Sequence, residues 1–286
     1  MSTIIFTIVS LSVLGLLLAL ILYWVAQKFK VVEDPRIDDV EAIMPGVNCG
    51  GCGYAGCRAF AEGCVKAENL EEMYCPVGGN NVMQKVAKYL GVQVAEKAPQ
   101  VAVVRCNGTC DNRAKTNNYD GFPSCAVMAS LYAGDTDCKY GCLGQGDCEL
   151  SCKFDALKMD PGTGLPEVDQ EKCTACGACV KICPNMIIEL RNKGIKNRRI
   201  FVSCINKDKG GVAKKACAVA CTGCTKCQKV CTFDAITISN NLAYIDYNKC
   251  KLCRKCVVEC PTQAIWEINF PVRVPKMEET TIIDQK

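Results

Sequence analysis

The chain has 286 residues, of which 26 are cysteine and none is histidine. The absence of histidine excludes histidine-ligated haem, Rieske centres, mixed Cys/His zinc fingers and catalysis by an imidazole base. The formal net charge of +4 counts every thiol as neutral, and thiolates bound to metal would make the charge more negative. The charge therefore gives no support to a nucleic-acid partner. The unusual feature of the composition is its cysteine content, which calls for a chemical explanation.

The first predicted element is a helix over residues 4–25, which contain no charged side chain. Its 22 residues would span about 33 Å, enough to cross the ~30 Å hydrocarbon core of a bilayer. A cleaved signal peptide is the alternative, but it would start with basic residues and have a shorter apolar core. Tyr23 and Trp24 suit a membrane interface, and Lys28 and Lys30 favour a cytoplasmic location for the chain that follows. A reducing cytoplasm then disfavours disulfide bonds.

The first cysteine group follows a charged linker and contains Cys49, Cys52, Cys57 and Cys75. We expect these four thiolates to hold one [4Fe-4S] cluster, because the small residues around them let backbone amides approach the cluster sulfurs. Three glycines also match the G-x-G-x-x-G fingerprint, but no predicted strand precedes them, which disfavours a dinucleotide site. Cys64 lies in the same segment, and we expect it to be a packed thiol instead of a ligand.

Four cysteine arrays follow from residue 138 onward. Three have the spacing Cys-x2-Cys-x2-Cys-x3-Cys, and they are Cys173, Cys176, Cys179 and Cys183; Cys221, Cys224, Cys227 and Cys231; and Cys250, Cys253, Cys256 and Cys260. The fourth is stretched and contains Cys138, Cys142, Cys148 and Cys152. Structural zinc sites use two separated cysteine pairs, so the triple spacing disfavours zinc.

The spacing predicts how the arrays share their clusters. In bacterial ferredoxins, the first three cysteines of such an array bind one four-iron cluster and the fourth binds the cluster of the partner array. The predicted ligand sets are therefore Cys138, Cys142, Cys148 and Cys183; Cys173, Cys176, Cys179 and Cys152; Cys221, Cys224, Cys227 and Cys260; and Cys250, Cys253, Cys256 and Cys231.

The remaining cysteines lie in two segments that resemble each other. Residues 101–106 resemble residues 200–204, and each apolar stretch is predicted to be a strand that ends at a cysteine. The cysteines of these segments are Cys106, Cys110, Cys125, Cys204 and Cys217. They are either buried thiols or ligands of a sixth cluster, to which Cys106, Cys110 and Cys125 could supply three ligands.

The predicted fold class is α+β. It combines an N-terminal transmembrane helix, a small four-cysteine Fe–S domain and two tandem bacterial-type 2[4Fe-4S] ferredoxin modules with inserted strand-loop segments. The predicted segments are a transmembrane anchor (1–26), a linker (27–44), an N-terminal 4Fe-4S domain (45–95), a first strand/loop insertion (96–137), a first ferredoxin module (138–192), a second strand/loop insertion (193–220), a second ferredoxin module (221–269) and a tail (270–286).

The apolar helix, the Cys-Gly-x-Cys-Gly-x3-Cys segment with its later Cys-Pro, and the tandem ferredoxin arrays together resemble the B subunit of the Rnf complex. The most specific part of the resemblance is Cys49, Cys52, Cys57 and Cys75. The stretched array and the extra repeat unit are similar to the longer, clostridial-type members.

The resemblance implies an electron-transfer subunit of a ferredoxin:NAD oxidoreductase. Electrons would enter from soluble reduced ferredoxin, pass through five or six [4Fe-4S] clusters and leave to membrane subunits of the same complex, which reduce NAD and pump Na+ or H+. The implied location is the cytoplasmic membrane, with a single span and with the cluster domains on the cytoplasmic side. No residue of this chain is expected to be a catalytic acid or base.

Two other functions stay open from the sequence. The chain could be the cluster-bearing subunit of another membrane oxidoreductase of the hydrogenase type, or a membrane-tethered Fe–S scaffold without electron transfer. A basic stretch is either a solvated loop or a dock for an acidic electron carrier, and it contains Lys196, Arg198, Arg199, Lys207, Lys209, Lys214 and Lys215.

Overall fold

The computed structural model describes residues 2–29, 34–131 and 134–272. Helix α1 (Ser2–Lys28) is, among these residues, the one helix long and apolar enough to cross a membrane, and the rest of the chain buries none of its apolar span. Length and composition thus agree with the predicted anchor. Lys30 and the part of the predicted tail beyond residue 272 lie outside the described residues.

Three helices form the N-terminal domain: α2 (Arg36–Ile43), α3 (Cys57–Lys66) and α4 (Gly79–Leu90). Apolar residues three or four apart give each helix one buried face, and Val40, Phe60 and Val86 meet in the shared core. Helix α2 lies inside the segment predicted to be a linker. Its buried residues make it part of this domain, so the connection to the anchor is shorter than the sequence suggests.

The first ferredoxin module contains strands and short helices in a fixed order. These are β1 (Gln100–Val104), α5 (Cys125–Leu131), α6 (Asp147–Leu150), β2 (Leu157–Asp160), β3 (Leu165–Val168), α7 (Ala178–Ile182) and β4 (Ile188–Asn192). Strands β2 and β3 form an antiparallel hairpin, and β1 pairs antiparallel with β4. The strand of the first insertion therefore completes the module instead of lying apart from it.

The second module repeats this topology. A 3-10 turn (Ile195–Asn197) precedes β5 (Arg199–Val202), α8 (Gly210–Ala216), α9 (Lys226–Lys229), β6 (Ile236–Ser239), β7 (Leu242–Ile245), α10 (Lys255–Val258) and β8 (Ile265–Ile268). Strands β6 and β7 form the hairpin, and β5 pairs with β8. The order of the elements thus follows the internal duplication seen in the sequence.

A buried arginine joins the two modules. Arg191 on β4 is 1% exposed, and its guanidinium carbon lies 5.6 Å from the Phe201 ring and 5.2 Å from the Tyr244 ring of the second module. Arg105, which follows β1, donates from Nε to the Val202 carbonyl (3.3 Å) and from Nη1 to Glu189 (3.2 Å). Cation–π and hydrogen-bond contacts therefore fix one module against the other.

Candidate metal centres

The first predicted cysteine group lines one cavity in the N-terminal domain. Cys49, Cys52, Cys57 and Cys75 all face a space of about 330 Å³. The Asn48 carboxamide oxygen accepts a hydrogen bond from the Cys57 backbone N–H (2.7 Å), which closes the loop against the start of α3. The Gly78 N–H donates to Cys75 Sγ (3.4 Å). Such an amide stabilises a thiolate that carries negative charge.

Cys64 lies on α3, outside the lining of that cavity. Its side chain is 1% exposed within the apolar core of the domain. Burial, with a smaller contribution from Cys52 and Cys75, raises the pKa of Cys64 to about 12. The structure thus places Cys64 as a packed thiol.

The second predicted set is also gathered around one cavity. Cys152, Cys173, Cys176 and Cys179 line a space of about 350 Å³ in the first ferredoxin module. The Ala102 N–H donates to Cys173 Sγ (3.5 Å), and the Ala156 N–H donates to Cys152 Sγ (3.4 Å). The Thr174 hydroxyl, which also lines this space, is buried and has no hydrogen-bond partner among the described residues. An acceptor inside the cavity would satisfy it.

The third cavity differs from the expected grouping. A space of about 350 Å³ is lined by Cys125, Cys142, Cys148 and Cys183, whereas Cys138 is not part of its lining. The Asp147 carboxylate, next to Cys148, accepts hydrogen bonds from Ser124 Oγ (2.9 Å) and the Ala126 N–H (3.1 Å). These bonds hold the first turn of α5, and with it Cys125, against α6. Cys125 therefore takes the place that the spacing predicts for Cys138.

Cys138 lines a fourth cavity, of about 350 Å³, together with Cys106, Cys204 and Cys217. Cys110 is not part of this lining: it is exposed, and its backbone N–H donates to the Thr163 carbonyl (3.1 Å). Of the five cysteines left over by the spacing, three thus meet here, Cys125 joins the third cavity and Cys110 faces solvent. Sequence reasoning could not find these sets, because their members come from segments up to 111 residues apart.

Both predicted sets of the second module lie together. Burial, followed by repulsion from Cys221, Cys224 and Cys260, raises the pKa of Cys227 to about 11. Burial, followed by repulsion from Cys250, Cys227, Cys253 and Cys231, raises the pKa of Cys256 to about 12. Both sets share one apolar core. It buries Cys221, Cys227 and Cys256, and Cys231, Cys250 and Cys260 pack against it, while Cys224 and Cys253 are exposed.

Other buried cysteines also have thiol pKa values raised by burial. Burial raises the pKa of Cys142, Cys148, Cys179 and Cys204 to about 12. These groups are neutral thiols at pH 7 until a metal displaces their protons, so metal binding must release protons. No three Cys, Asp or Glu side chains of the described residues are close enough to hold a single metal ion. A four-iron cluster needs no such closeness, because it spreads its four thiolates over the corners of a cube.

Two contacts connect the N-terminal domain with the first module. A Cβ atom at Gly51 would lie 2.7 Å from the Cys176 carbonyl oxygen, so the two backbones touch. Lys153, which stands where Pro184 and Pro261 follow the ends of two other arrays, donates from Nζ to the Asn48 carbonyl (3.2 Å). The departure from proline at this position therefore serves a domain contact.

The predicted basic stretch is divided by burial. Arg199 is 4% exposed and belongs to the interior, and Arg198 is half-buried. The exposed members are Lys196, Lys207, Lys209, Lys214 and Lys215. Cys224 and Cys253 are also exposed, and each is followed within two residues by an exposed lysine, Lys226 and Lys255. The second module therefore brings thiols to the surface among positive charges.

Comparison with known proteins supports these metal centres. Residues 44–77 match a family model of an Fe-S cluster segment, and residues 166–189 and 242–265 match two models described as 4Fe-4S binding domains. The chain is 41% identical to the B subunit of the Na+-translocating ferredoxin:NAD+ oxidoreductase complex of Acetobacterium woodii, over 89% of this chain and 75% of the relative.

Two further relatives match over nearly their whole length. The B subunit of the proton-translocating ferredoxin:NAD+ oxidoreductase complex of Clostridium ljungdahlii is 41% identical, over 93% of both chains. The B subunit of the ion-translocating oxidoreductase complex of Methanosarcina acetivorans is 39% identical, over 92% of this chain and 98% of the relative. The matched segments and the cysteine content together support multiple [4Fe-4S] clusters.

Proposed function

We infer the function from the family to which this chain belongs, the B subunits of the ion-translocating ferredoxin:NAD oxidoreductase (Rnf) complexes. The chain is an electron-transfer subunit of a membrane oxidoreductase that carries several [4Fe-4S] clusters. It takes electrons from reduced ferredoxin and passes them to partner subunits. The proposal rests on one observation: the chain contains a series of four-cysteine groups, and each group lies beside the next.

The overall reaction fixes what this chain has to carry. Two reduced ferredoxins each lose one electron, and NAD+ takes up both electrons and one proton to become NADH. We assign the hydride chemistry and the movement of Na+ or H+ to the partner subunits, because the apolar span of α1 holds no acidic or basic side chain that could bind an ion. This chain supplies the route for the electrons.

The residues around the cavities suit that role. A [4Fe-4S] cluster, when bound, takes up and releases one electron at a time. The cysteine thiolates hold it, and the amides that donate to Cys75, Cys152 and Cys173 stabilise the additional negative charge of the reduced state. The apolar cores that contain these cysteines keep water away.

Neighbouring cysteines give the order of the sites. The N-terminal domain touches the first module where Gly51 meets Cys176. Within that module, Cys148 and Cys179 pack in one apolar core, which makes their sites neighbours. In the second module, Cys227 and Cys256 are buried in one core in the same way. We propose that electrons follow this order between the second module and the N-terminal domain.

Electrons enter, in this proposal, at the second module. Cys224 and Cys253 are exposed there, and lysines such as Lys226 and Lys229 surround them with positive charge. An acidic ferredoxin would be attracted to such a surface. The N-terminal domain follows the anchor closely in the chain and would deliver the electrons to the membrane subunits. Lys28 at the end of α1 favours a cytoplasmic position for all these domains.

Neutralising the lysines tests the entry point in the intact complex. We expect the Lys226→Gln/Lys229→Gln double variant to raise the KM for ferredoxin several-fold at low salt with little change in kcat. The difference from the unaltered complex should vanish at high salt, because screening removes the attraction. Lys158→Gln/Lys181→Gln, which changes two exposed lysines of the first module, is the matched control. A higher KM in the control alone would move the docking surface to the first module.

No observation on the described residues favours a second function. The relatives' names mention neither a hydrogenase nor a scaffold. We therefore propose electron transfer alone.

A further inference from the structure

Equivalent loops of the two ferredoxin modules lie where the modules meet. Residues 169–173 and 246–250 share the pattern Asp-x2-Lys-Cys, and each loop leads into a four-cysteine array. In both loops the cysteine N–H donates to the carbonyl of the aspartate four residues earlier, so the two turns are built alike. Each loop also meets a side chain of the other module.

Arg191 of the first module reaches the loop of the second. Its guanidinium carbon lies 5.7 Å from the Tyr247 ring and 5.2 Å from the Tyr244 ring, and Tyr247 precedes Cys250 by three residues. Nη1 donates to the Ile200 carbonyl (3.5 Å), and the buried Nη2 has no hydrogen-bond partner among the described residues. Burial raises the pKa of Cys250, and the charge of Arg191 opposes that rise. The guanidinium therefore acts on a cysteine of the other module.

Arg199 of the second module has the reciprocal position. It lies opposite Ile268 in the pairing of β5 with β8, and the residue after Ile268, Asn269, donates from Nδ2 to Gln170 Oε1 (3.0 Å) in the loop of the first module. Arg199 is buried, and its Nε and Nη1 have no partner in the part of the chain that the structure describes. Burial lowers the pKa of Arg199, and Cys173, three residues after Gln170, opposes that change. The charge of Arg199 thus interacts with a cysteine of the first module.

The buried arginines need more negative charge than the nearby carboxylate supplies. Glu189 accepts hydrogen bonds from both Arg191 Nε and Arg105 Nη1, so one carboxylate serves two guanidinium groups. Burying a charge is costly unless opposite charge lies close to it. A four-iron cluster held by four thiolates is negatively charged, and reduction adds one more negative charge. Bound clusters would therefore supply the charge that the arginines lack.

We propose that Arg191 and Arg199 are exchanged counterions: each belongs to one module and raises the reduction potential of a [4Fe-4S] cluster in the other. Arg191 acts on the cluster that Cys250 binds (the Cys250 site), and Arg199 acts on the cluster that Cys173 binds (the Cys173 site). The proposal rests on the four-iron sites of the proposed function, but not on the electron donor or on the direction of electron flow. Because positive charge favours the reduced state, the potential of each site depends on the contact between the modules.

Redox titration of the full-length chain, purified without oxygen in detergent and followed by EPR, tests the exchange. At the solution potential that half-reduces the Cys250 site of the unaltered protein, Arg191→Gln should lower the ratio of reduced to oxidised cluster about tenfold, equivalent to about 59 mV. Arg199→Gln should do the same at the Cys173 site. Both variants should keep the iron content of the unaltered protein. Cys250→Ser and Cys173→Ser assign the two signals, because each replaces a ligand of one cluster.

Arg198→Gln is the matched control, because it removes the same charge one residue before Arg199. Arg198 is half-buried, and its guanidinium carbon lies 5.4 Å from the Phe270 ring. Water screens a charge that it can reach, so both potentials should stay unchanged. Arg191→Lys and Arg199→Lys keep the positive charge and should recover most of the tenfold loss.

Several results would overturn the proposal. One is full iron content with unchanged potentials at both sites in the two glutamine variants. Another is a shift confined to the site of the arginine's own module, which would reject the exchange. Lysine variants that fall as far as the glutamine variants would show that packing against the aromatic rings, and not charge, sets the potential. An unaltered protein without these two signals would reject the sites themselves, and the proposal with them.

Methionine variants cover the case in which a buried glutamine prevents folding. Arg191→Met and Arg199→Met place a flexible apolar side chain in the same space, and each should show the shift expected of its glutamine counterpart. Because the two arginines lie in different modules, each position is a separate test of whether the charge of one module acts on a cluster of the other. A methionine variant that assembles with all of its iron and shows no shift rejects that half of the exchange.

Discussion

Asp147 illustrates how one carboxylate positions a cysteine. Its two hydrogen bonds to Ser124 and to the Ala126 N–H hold Cys125 beside Cys148. Cys138 instead lines the cavity between the two modules.

Cysteine spacing predicts which thiols of one array lie together, but it does not predict the cavity that Cys138 lines, for a physical reason. Cys173, Cys176 and Cys179 meet because two intervening residues can turn only a short way around a cluster. The wider gaps of the stretched array, three and five residues, impose no such turn. The partner of Cys138 is then decided by tertiary contacts, which the sequence does not display.

The groups of four cysteines described above contain 24 of the 26 cysteines and do not include Cys64 and Cys110. We expect a thiol reagent at pH 8 to label Cys110 rapidly in the oxygen-free holoprotein, because this thiol is exposed. Cys64 should stay unlabelled, since burial raises its pKa to about 12 and keeps it protonated below that pH. Peptide mass spectrometry measures both sites. Rapid labelling of Cys64, with Cys110 protected, would contradict the assignment.

At the scale of elements, strands β1 and β5 form the strand pairs with the largest sequence separation among the described residues. Their apolar composition predicts strands that end at a cysteine, and the structure confirms both strands. Their partners β4 and β8 lie about 60 to 90 residues away in the chain, at Ile188–Asn192 and Ile265–Ile268. Pairing over such distances depends on packing, so the sequence predicted each strand without predicting its place in the module.

Gly51 sits at the contact between the N-terminal domain and the first module. A methyl group there would collide with the Cys176 backbone at 2.7 Å, and backbone cannot move aside cheaply. We expect Gly51→Ala to separate the two domains, with unchanged iron content and a several-fold lower ferredoxin:NAD turnover in the complex. Amide hydrogen exchange around residues 48–51 and 174–177 should rise.

Gly211→Ala is the matched control for this variant, because a Cβ atom at Gly211 meets no other atom within 4 Å. It should leave turnover and hydrogen exchange unchanged. Unaltered exchange in Gly51→Ala would show that the two domains are not held together at this point.

At the scale of the whole molecule, the proposed sites are arranged as a series from the N-terminal domain to the second module. The sequence predicted the two ferredoxin modules and the N-terminal domain, which the family matches support. It could not order them, because the order depends on contacts such as Gly51 with Cys176 and Arg191 with Tyr244. These contacts join segments more than 50 residues apart.

The anchor is separable from this series in the structure. None of the apolar span of α1 is buried by the rest of the described chain. We expect a shortened protein that begins at Asp34 to appear in the soluble fraction with the same iron content as the full-length chain, about 20 to 24 atoms. Centrifugation of a lysate, followed by iron analysis, measures both properties.

The full-length chain, which should remain in the membrane after a high-salt wash, is the control. Membrane retention of the shortened protein after the same wash, or loss of its iron, would show that the helix is not the only attachment or that the fold needs it.

Cysteines of one cavity alternate along the chain with cysteines of another, and this order affects biosynthesis. Cys106 and Cys138 leave the ribosome long before Cys217, and Cys221 waits for Cys260. A nascent chain therefore exposes half-built thiol sets while later ligands are still being translated. We expect iron to be delivered after synthesis, or in a sequence in which the cavity between the modules is complete, at Cys217, before the arrays of the second module.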